Sequence, residues 1–304
     1  MIGLGLAALG RPGYINLGHH DDLAGGTDVA AMERRCHRVL DAAFAGGVRW
    51  FDAARSYGRA EEFLASWLRA RKLAPGAVTI SSKWGYTYTA GWQAHAEKHE
   101  VKDHTLPTLR RQLAESRALL GAHLDVYQVH SATLDSGILD DRAVLDELSR
   151  VRAAGLRIGL STTGPEQAAV IRRALTLGIF DTVQSTWNLL ERSAGAALAE
   201  AHDAGLRVII KEALANGRLT ARNPDPALAP LVEHARSLAV PVDALALAAA
   251  LAQPFADVVL SGATTTAQLA DNLRATEITA PGDFLTLVEP AREYWRTRAA
   301  LPWN

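Results

Sequence analysis

The chain has one cysteine, Cys36, among its 304 residues, and it lacks both a dense basic run and a long apolar run. A single cysteine forms no intramolecular disulfide, which is compatible with a reducing compartment. A formal net charge of −1 gives no reason to expect nucleic acid or an anionic membrane as a partner. The most apolar stretch, residues 244–252, is too short to span a bilayer. Because the first residues also lack the features of a secretion signal, we expect a cytoplasmic protein.

Short apolar, β-branched runs alternate with longer helical patterns along the whole chain. The strand candidates are residues 2–9, 48–53, 78–84, 124–130, 158–162, 182–188, 208–213 and 258–263. Most of them are continuously apolar, which is typical of strands covered on both faces. Helical patterns between them, such as residues 29–45 and 166–177, are followed by glycines. This alternation predicts an α/β fold, a (β/α)8 TIM barrel forming a single domain over residues 1–304. An open doubly wound sheet is the competing arrangement, and eight similar units favour closure.

Four ionisable residues follow the predicted strands 2 to 4. Asp52 and Tyr57 belong to VRWFDAARSYG, Lys83 ends VTISSKWG, and His130 ends LDVYQVHSA. In a parallel barrel the carboxyl ends of the strands meet at one mouth, so we expect these side chains to converge. A buried lysine needs an acidic partner, and Asp52 is the obvious one. Beside Lys83, we expect the ionised form of Tyr57 to be favoured, which would make it a proton shuttle near neutral pH.

These segments resemble the signatures of the aldo-keto reductase superfamily. The similarity runs from GLGLAALG near the start to SGATTTAQLADNL near the end. It maps the family's catalytic tetrad onto Asp52, Tyr57, Lys83 and His130 without substitution. The resemblance implies an NAD(P)(H)-dependent oxidoreductase that interconverts a small-molecule aldehyde or ketone and its alcohol. Tyr57 would be the general acid, Lys83 and Asp52 would tune it, and His130 would help to position the substrate.

The resemblance also implies a binding site for NADP(H), or possibly NAD(H), built by the second half of the chain. Ser161 and Gln184 would hold the nicotinamide carboxamide, and the loop and helix after strand 8 would hold the adenosine phosphates. The full set of implied cofactor residues is Ser161, Gln184, Lys211, Glu212, Ala213, Leu214, Gly217, Gly262, Ala263, Thr264, Gln268 and Asn272.

Several positions depart from the family pattern, and two of them bear most directly on the cofactor. Lys211 stands after strand 7 where the family commonly has an aromatic residue against the nicotinamide, and an ammonium cannot stack as a ring does. It could pair with Glu212 or contact a cofactor phosphate. Gln268 stands where an arginine often clamps the 2′-phosphate of NADP, with Arg274 as the nearest cation in sequence. We therefore expect weak discrimination between NADPH and NADH.

Long loops after strands 1 and 3 are rich in aromatic residues. Together with one aromatic residue at strand 6 they suggest an apolar or stacking pocket for an aryl, alicyclic or sugar carbonyl. The predicted substrate-binding residues are Tyr14, Trp84, Tyr86 and Trp187. His95, His99 and His104 share one loop but lack the spacing of metal ligands, so no metal site is predicted.

Two other functions remain open from the residues alone. One is a lyase or isomerase that uses Lys83 as a Schiff-base nucleophile. The other is a nicotinamide-binding regulatory subunit with little turnover, which the departure at Lys211 would explain. The oligomeric state and the substrate are not specified by the sequence.

Overall fold

The structure, a computed structural model, describes all residues from 1 to 304. Eight parallel strands close a barrel in which β10 pairs back with β1, and the two remaining strands, β4 and β5, form a separate antiparallel hairpin. The strands are β1 (Ile2–Gly5), β2 (Trp50–Asp52), β3 (Thr79–Trp84), β4 (Tyr86–Tyr88), β5 (Glu100–Lys102), β6 (Leu124–Ala132), β7 (Arg157–Thr162), β8 (Thr182–Thr186), β9 (Arg207–Lys211) and β10 (Val258–Ser261). The predicted barrel is confirmed, whereas the hairpin after β3 was not predicted.

Helices cover the outside of the barrel between successive strands. They are α1 (His19–Asp22), α2 (Val29–Ala45), α3 (Ala60–Ala70), α4 (Leu106–Leu120), α5 (Arg142–Ala153), α6 (Gln167–Leu177), α7 (Gly195–Asp203), α8 (Ala229–Ser237), α9 (Val242–Leu251), α10 (Thr266–Leu273) and α11 (Ala291–Ala299). Gly178 ends α6 with a φ of 65°, a left-handed conformation that glycine adopts without a Cβ clash. α11 follows the last barrel strand and helps to build the mouth.

Several predicted strands are longer than the observed ones at their carboxyl ends. Residues 6–9, for example, form a turn after β1, although Leu6 and Leu9 are fully buried. They are apolar because they pack in the core, not because they pair in the sheet. The chain therefore leaves the barrel ladder early and enters the loops of the mouth sooner than the apolar pattern indicates.

The interior of the barrel has an apolar layer. A cluster of five buried side chains fills the inside: Trp50, Val126, Ile209, Val258 and Leu260. Trp50 begins β2, and its indole N–H reaches Ser81 Oγ at 3.1 Å. Beyond this layer, towards the carboxyl ends of the strands, the interior becomes polar. The barrel thus places charged groups above an apolar plug.

No single helix is long and apolar enough to cross a membrane. The segments Pro226–Ser237 and Val242–Leu251 pass that test only when joined, and the chain bends by 92° between them. Every residue of α9 from Ala244 to Ala250 is buried in this structure.

Candidate active site

Asp52 and Lys83 form an ion pair inside the barrel, with their side chains 3% and 1% exposed. Asp52 is in register with Ser81, so Lys83 lies two residues further along β3 and on the same face. Lys83 Nζ also donates to the Ala53 carbonyl at 3.0 Å. Asp52 accepts further hydrogen bonds from Ser81 Oγ at 2.7 Å and Gln128 Nε2 at 3.3 Å. These bonds satisfy two charges that would otherwise be costly to bury.

Tyr57 lies in the turn after β2, next to this pair. Lys83 Nζ donates to its hydroxyl oxygen at 3.4 Å. Burial nevertheless raises the pKa of Tyr57 well above its usual value, and Asp52 raises it further, while Arg11 offsets only part of this. The expectation that the ionised form of Tyr57 is favoured is therefore wrong, because burial and the Asp52 carboxylate favour the neutral phenol. Tyr57 remains protonated at neutral pH and can act as an acid.

His130 approaches Tyr57 edge-on, with the ring centroids 5.4 Å apart and the planes at 82°. It lies in β6, where the following residue, Ser131, has a φ of 52° and the register with β7 shifts. Its Nδ1 is 3.4 Å from Ser56 Oγ. Burial lowers the pKa of His130 well below its usual value, and Lys83 and Arg11 lower it further. The imidazole is therefore neutral and can donate a hydrogen bond without carrying charge.

A cavity of about 470 Å³ opens above the barrel interior, and Tyr57 and His130 line one end of it. The other end is lined by Gln268 and Asn272 on α10. Every predicted cofactor residue lines this cavity except Thr264. The cavity is within the size range of small-molecule and cofactor sites. The structure thus joins Asp52, Tyr57 and His130 of the tetrad with the second-half residues in one elongated space, and Lys83 lies beneath it.

Of the four aromatic residues predicted to bind substrate, only Tyr14 lines the cavity. Trp84 is fully buried against the His104 ring, and Trp187 packs on Phe255. Tyr86 lies on the hairpin with its ring 4.9 Å from that of His130, outside the lining. Trp84 faces away because side chains alternate along a strand and the neighbouring Lys83 points into the barrel. The pocket is therefore less aromatic than predicted.

Charged residues that were not predicted from the sequence line the end of the cavity near Tyr57 and His130. They are Arg11 after β1, Glu100 on the hairpin and Arg298 on α11, accompanied by Trp303 near the end of the chain. The only signal for them was their position in long loops or beyond the last strand. Asn304 fixes the end of the chain, because its backbone pairs with that of Tyr14 at 3.1 and 3.2 Å.

Lys211 belongs to a buried cluster with Glu212 and Arg298. Its Nζ lies 3.7 Å from Glu212 Oε1 and donates to Thr186 Oγ1 at 2.9 Å. The stronger partner of Glu212 is Arg298, whose Nε donates to both carboxylate oxygens at 3.0 and 3.1 Å. Burial lowers the pKa of Lys211 to about 8, although Glu212 opposes this. Burial would raise the pKa of Glu212, but Arg298 and Lys211 outweigh it and hold the pKa at about 2.

A second charged cluster lies at the other end of the cavity, around Asp22 of α1. Its carboxylate, only 6% exposed, pairs with Arg222 and accepts from Gln268 Nε2 at 2.8 Å and Thr264 Oγ1 at 3.1 Å. Arg274 instead donates to the Ala239 carbonyl and does not line the cavity. Gln268 therefore stands between a carboxylate and the space where an adenosine phosphate would lie.

The residues present fit a nicotinamide dinucleotide. A Cβ built on Gly262 meets nothing within 4 Å, so the backbone after β10 faces open space. Ser161 Oγ accepts from the Ser131 N–H at 2.8 Å and keeps its own proton to donate. Gln184 Nε2 donates to Asp52 at 3.1 Å, so the side-chain carbonyl oxygen of Gln184 is the atom left to contact a ligand. No group of three His, Cys, Asp or Glu side chains is placed to hold a metal ion.

Comparison with known proteins identifies the family to which the chain belongs. The model of the aldo/keto reductase family matches residues 2–292. The chain belongs to the aldo/keto reductase family, a family of oxidoreductases that generally use NAD(P)H. The uncharacterized oxidoreductase YrpG of Bacillus subtilis (strain 168) is 26% identical over 297 residues, which cover 86% of this chain and 87% of that relative.

Solved structures share the fold at lower identity. The aldo-keto reductase AKR11C1 from Bacillus halodurans, in its holo form, is similar with a TM-score of 0.68 and 20% identity, covering 98% of this chain and 91% of that chain. The glycerol dehydrogenase AKR11B4 from Gluconobacter oxydans is similar with a TM-score of 0.68 and 20% identity, covering 99% and 90%.

Proposed function

We propose that this chain reduces an aldehyde or ketone with NADPH or NADH, with Tyr57 as the general acid. The observation that carries the proposal is the contact between the Tyr57 hydroxyl and Lys83 Nζ, at 3.4 Å, beside the edge of a neutral His130. These groups stand at one end of an elongated cavity whose other residues suit a dinucleotide.

In this mechanism the substrate carbonyl oxygen lies between the Tyr57 hydroxyl and the His130 ring. A bound reduced nicotinamide supplies the hydride for the carbonyl carbon. Tyr57 gives its proton to the oxygen, and the phenolate left behind is stabilised by the ammonium of Lys83. Asp52 holds Lys83 in place, and the neutral His130 orients the carbonyl by hydrogen bonding. The raised pKa of Tyr57 keeps the phenol protonated at neutral pH, so its proton is available for the carbonyl oxygen.

For the cofactor, Ser161 and Gln184 would hold the carboxamide end. The backbone at Gly262 and Ala263, together with Gln268 and Asn272, would hold the adenosine end. Lys211 would lie against the nicotinamide without stacking on it. Since Asp22 lies beside Gln268 and Arg222 beside Asp22, a 2′-phosphate meets charges of both signs. This arrangement supports weak discrimination between NADPH and NADH.

Replacing Tyr57 by Phe tests the acid directly. We expect turnover to fall by about 10²–10⁴ while cofactor dissociation constants, measured by fluorescence titration, stay within a few-fold. The control is Tyr88→Phe, which removes a phenol on the hairpin that does not line the cavity. Near-full activity of Tyr57→Phe, under conditions where chemistry limits the rate, would refute the proposal.

The Schiff-base alternative has no support in the geometry. Lys83 does not line the cavity, and its ammonium is held by Asp52, the Ala53 carbonyl and Tyr57. A carbonyl compound therefore has no open path to Nζ. For a regulatory subunit, the outcome to look for is cofactor binding without turnover on a broad carbonyl panel.

A further inference from the structure

Arg11, in the loop after β1, is buried with one edge of its guanidinium unpaired. It is 3% exposed and lines the cavity. Its Nη1 donates to the Ser56 carbonyl at 3.1 Å and to Glu100 Oε2 at 2.9 Å. Nε is buried without any partner, and Nη2 donates to no protein group. Nε and Nη2 form the side of the guanidinium that holds a carboxylate with two parallel hydrogen bonds. Leaving the buried Nε unpaired is costly, so this edge points to a missing ligand.

The surroundings of Arg11 place that edge next to the reacting group. The Arg11 Cζ lies 5.1 Å from the centroid of the Tyr57 ring. It also lies 5.4 Å from the Tyr14 ring and 4.8 Å from the Trp303 ring. Aromatic faces hold a guanidinium in place without using its N–H donors. A ligand on the free edge of Arg11 is therefore within a few atoms of the position where Tyr57 delivers its proton.

The charge at this end of the cavity is unbalanced. Arg11, Lys211 and Arg298 line it, and the carboxylates that face them are those of Glu100 and Glu212. Asp52 and Lys83 neutralise each other beneath them. Lys211 and Arg298 share Glu212, so this end of the cavity carries one net positive charge when Lys211 is protonated. A neutral carbonyl compound leaves that charge as it is, whereas a substrate with one carboxylate balances it.

We propose that Arg11 binds the carboxylate of the substrate, and that the substrates are short oxo acids whose carbonyl and carboxylate are a few carbon atoms apart. This inference rests on the proposed function and deepens it. Reduction then adds a hydride to the carbonyl carbon and the Tyr57 proton to its oxygen, and gives the corresponding hydroxy acid. Tyr14 and Trp303 form aromatic walls, so an aryl oxo acid fits this end of the cavity.

Matched pairs of acids and esters test the proposal. Phenylglyoxylate and its methyl ester keep the same aryl ketone but differ by one charge, and 4-oxobutanoate and its methyl ester test a longer spacing. We expect wild type to favour the acid of at least one pair. In Arg11→Met the ratio of kcat/KM for that acid to kcat/KM for its ester should fall at least tenfold. Arg49→Met is the control, because Arg49 also packs on an aromatic ring but precedes β2, at the other end of the barrel.

The competing role for Arg11 is to brace Tyr57, and the two roles give different results. A brace lost in Arg11→Met would slow acid and ester equally and would shift the pH profile for both. Such a result, or equal use of acid and ester by wild type, would overturn carboxylate binding. Arg11→Lys keeps the charge but not the fork, so we expect it to recover part of the preference for the acid.

Equilibrium binding separates this inference from the proposed function. Benzoate titrated into the protein, both free and saturated with NADP⁺, and followed by calorimetry, should bind to wild type in at least one of these states and at least tenfold more weakly to Arg11→Met in that state. Glu100→Gln removes the carboxylate that shares Nη1 and should tighten benzoate several-fold, an effect of the opposite sign that does not depend on Arg11→Met folding well. If benzoate does not bind, or binds equally to all three proteins, the role of Arg11 is refuted even where Tyr57→Phe behaves as expected.

Discussion

Two ion clusters lie near the same end of the barrel and differ in how far apart along the chain their members are. Lys83 and Asp52 are 31 residues apart on neighbouring strands, so the register of the sheet brings them together. Glu212 and Arg298 are 86 residues apart, and only the docking of α11 joins them. The first cluster matches a family motif, and the second stands where this chain departs from the family. The comparison shows that a pair within the sheet can be inferred from its motif, whereas Glu212, next to the substituted Lys211, takes its main partner from α11.

The largest expected effect concerns the first cluster. Lys83→Met leaves Asp52 buried without its cation, which costs roughly 3–5 kcal/mol for a fully buried pair and should also abolish activity. Adding Asp52→Asn should recover part of the free energy of unfolding but none of the activity. Denaturant unfolding measures this, with exposed Lys98→Met as the control. Additive destabilisation in the double variant would show that the two side chains are not coupled.

A smaller loss in the free energy of unfolding is expected in the second cluster, that of Glu212 and Arg298. Arg298→Met removes the main partner of Glu212, but Lys211 remains 3.7 Å from the carboxylate. We expect a destabilisation of roughly 1–3 kcal/mol, the cost of a buried polar group that loses a partner. Glu212→Gln in the same chain should restore part of it. Arg296→Met, on the exposed face of α11, serves as the control. A loss as large as that of Lys83→Met would mean that Lys211 does not compensate.

The pH dependence of stability distinguishes the clusters further. The folded pKa of Glu212 is about 2, below its ordinary value of 4.5. Its ionised form therefore stabilises the fold fully above about pH 4.5, and this contribution is lost as the pH falls towards 2. Glu212→Gln should flatten that part of the acid limb in denaturation curves measured at successive pH values. Acid limbs of identical slope in wild type and variant would contradict the assigned pairing.

The smallest expected effect is on cofactor choice. We expect the dissociation constants of NADPH and NADH to lie within about tenfold of each other, or ~1.4 kcal/mol. Gln268→Arg should tighten NADPH selectively, because guanidinium binds phosphate in a fork. Since Asp22 is 2.8 Å from the Gln268 amide, it should capture part of the new charge, and Asp22→Asn with Gln268→Arg should gain more. If wild type already prefers NADPH a hundredfold, Arg222 holds that phosphate and Gln268 does not.

How much of this structure can be predicted from the sequence depends on how far apart along the chain the interacting residues lie. The barrel and the tetrad follow from apolar runs, glycine stops and short motifs, all of them local in the chain. Arg11, Arg298 and Trp303 could not be predicted, because only the folded barrel brings the first loop and the last helix to one mouth. The position of Trp84 could have been predicted: side chains alternate along β3, and Lys83 had already been assigned to the inside.

The apolar plug around Trp50 has a kinetic consequence. Because Trp50, Val126, Ile209, Val258 and Leu260 fill the barrel interior, the cavity above them cannot open through the bottom of the barrel and opens at its mouth. Two molecules that occupy it together must arrive and depart through that opening, so the one that lies deeper binds first and leaves last. Product-inhibition patterns in steady-state measurements would report that order, and they would be those of an ordered rate law and not of a random one.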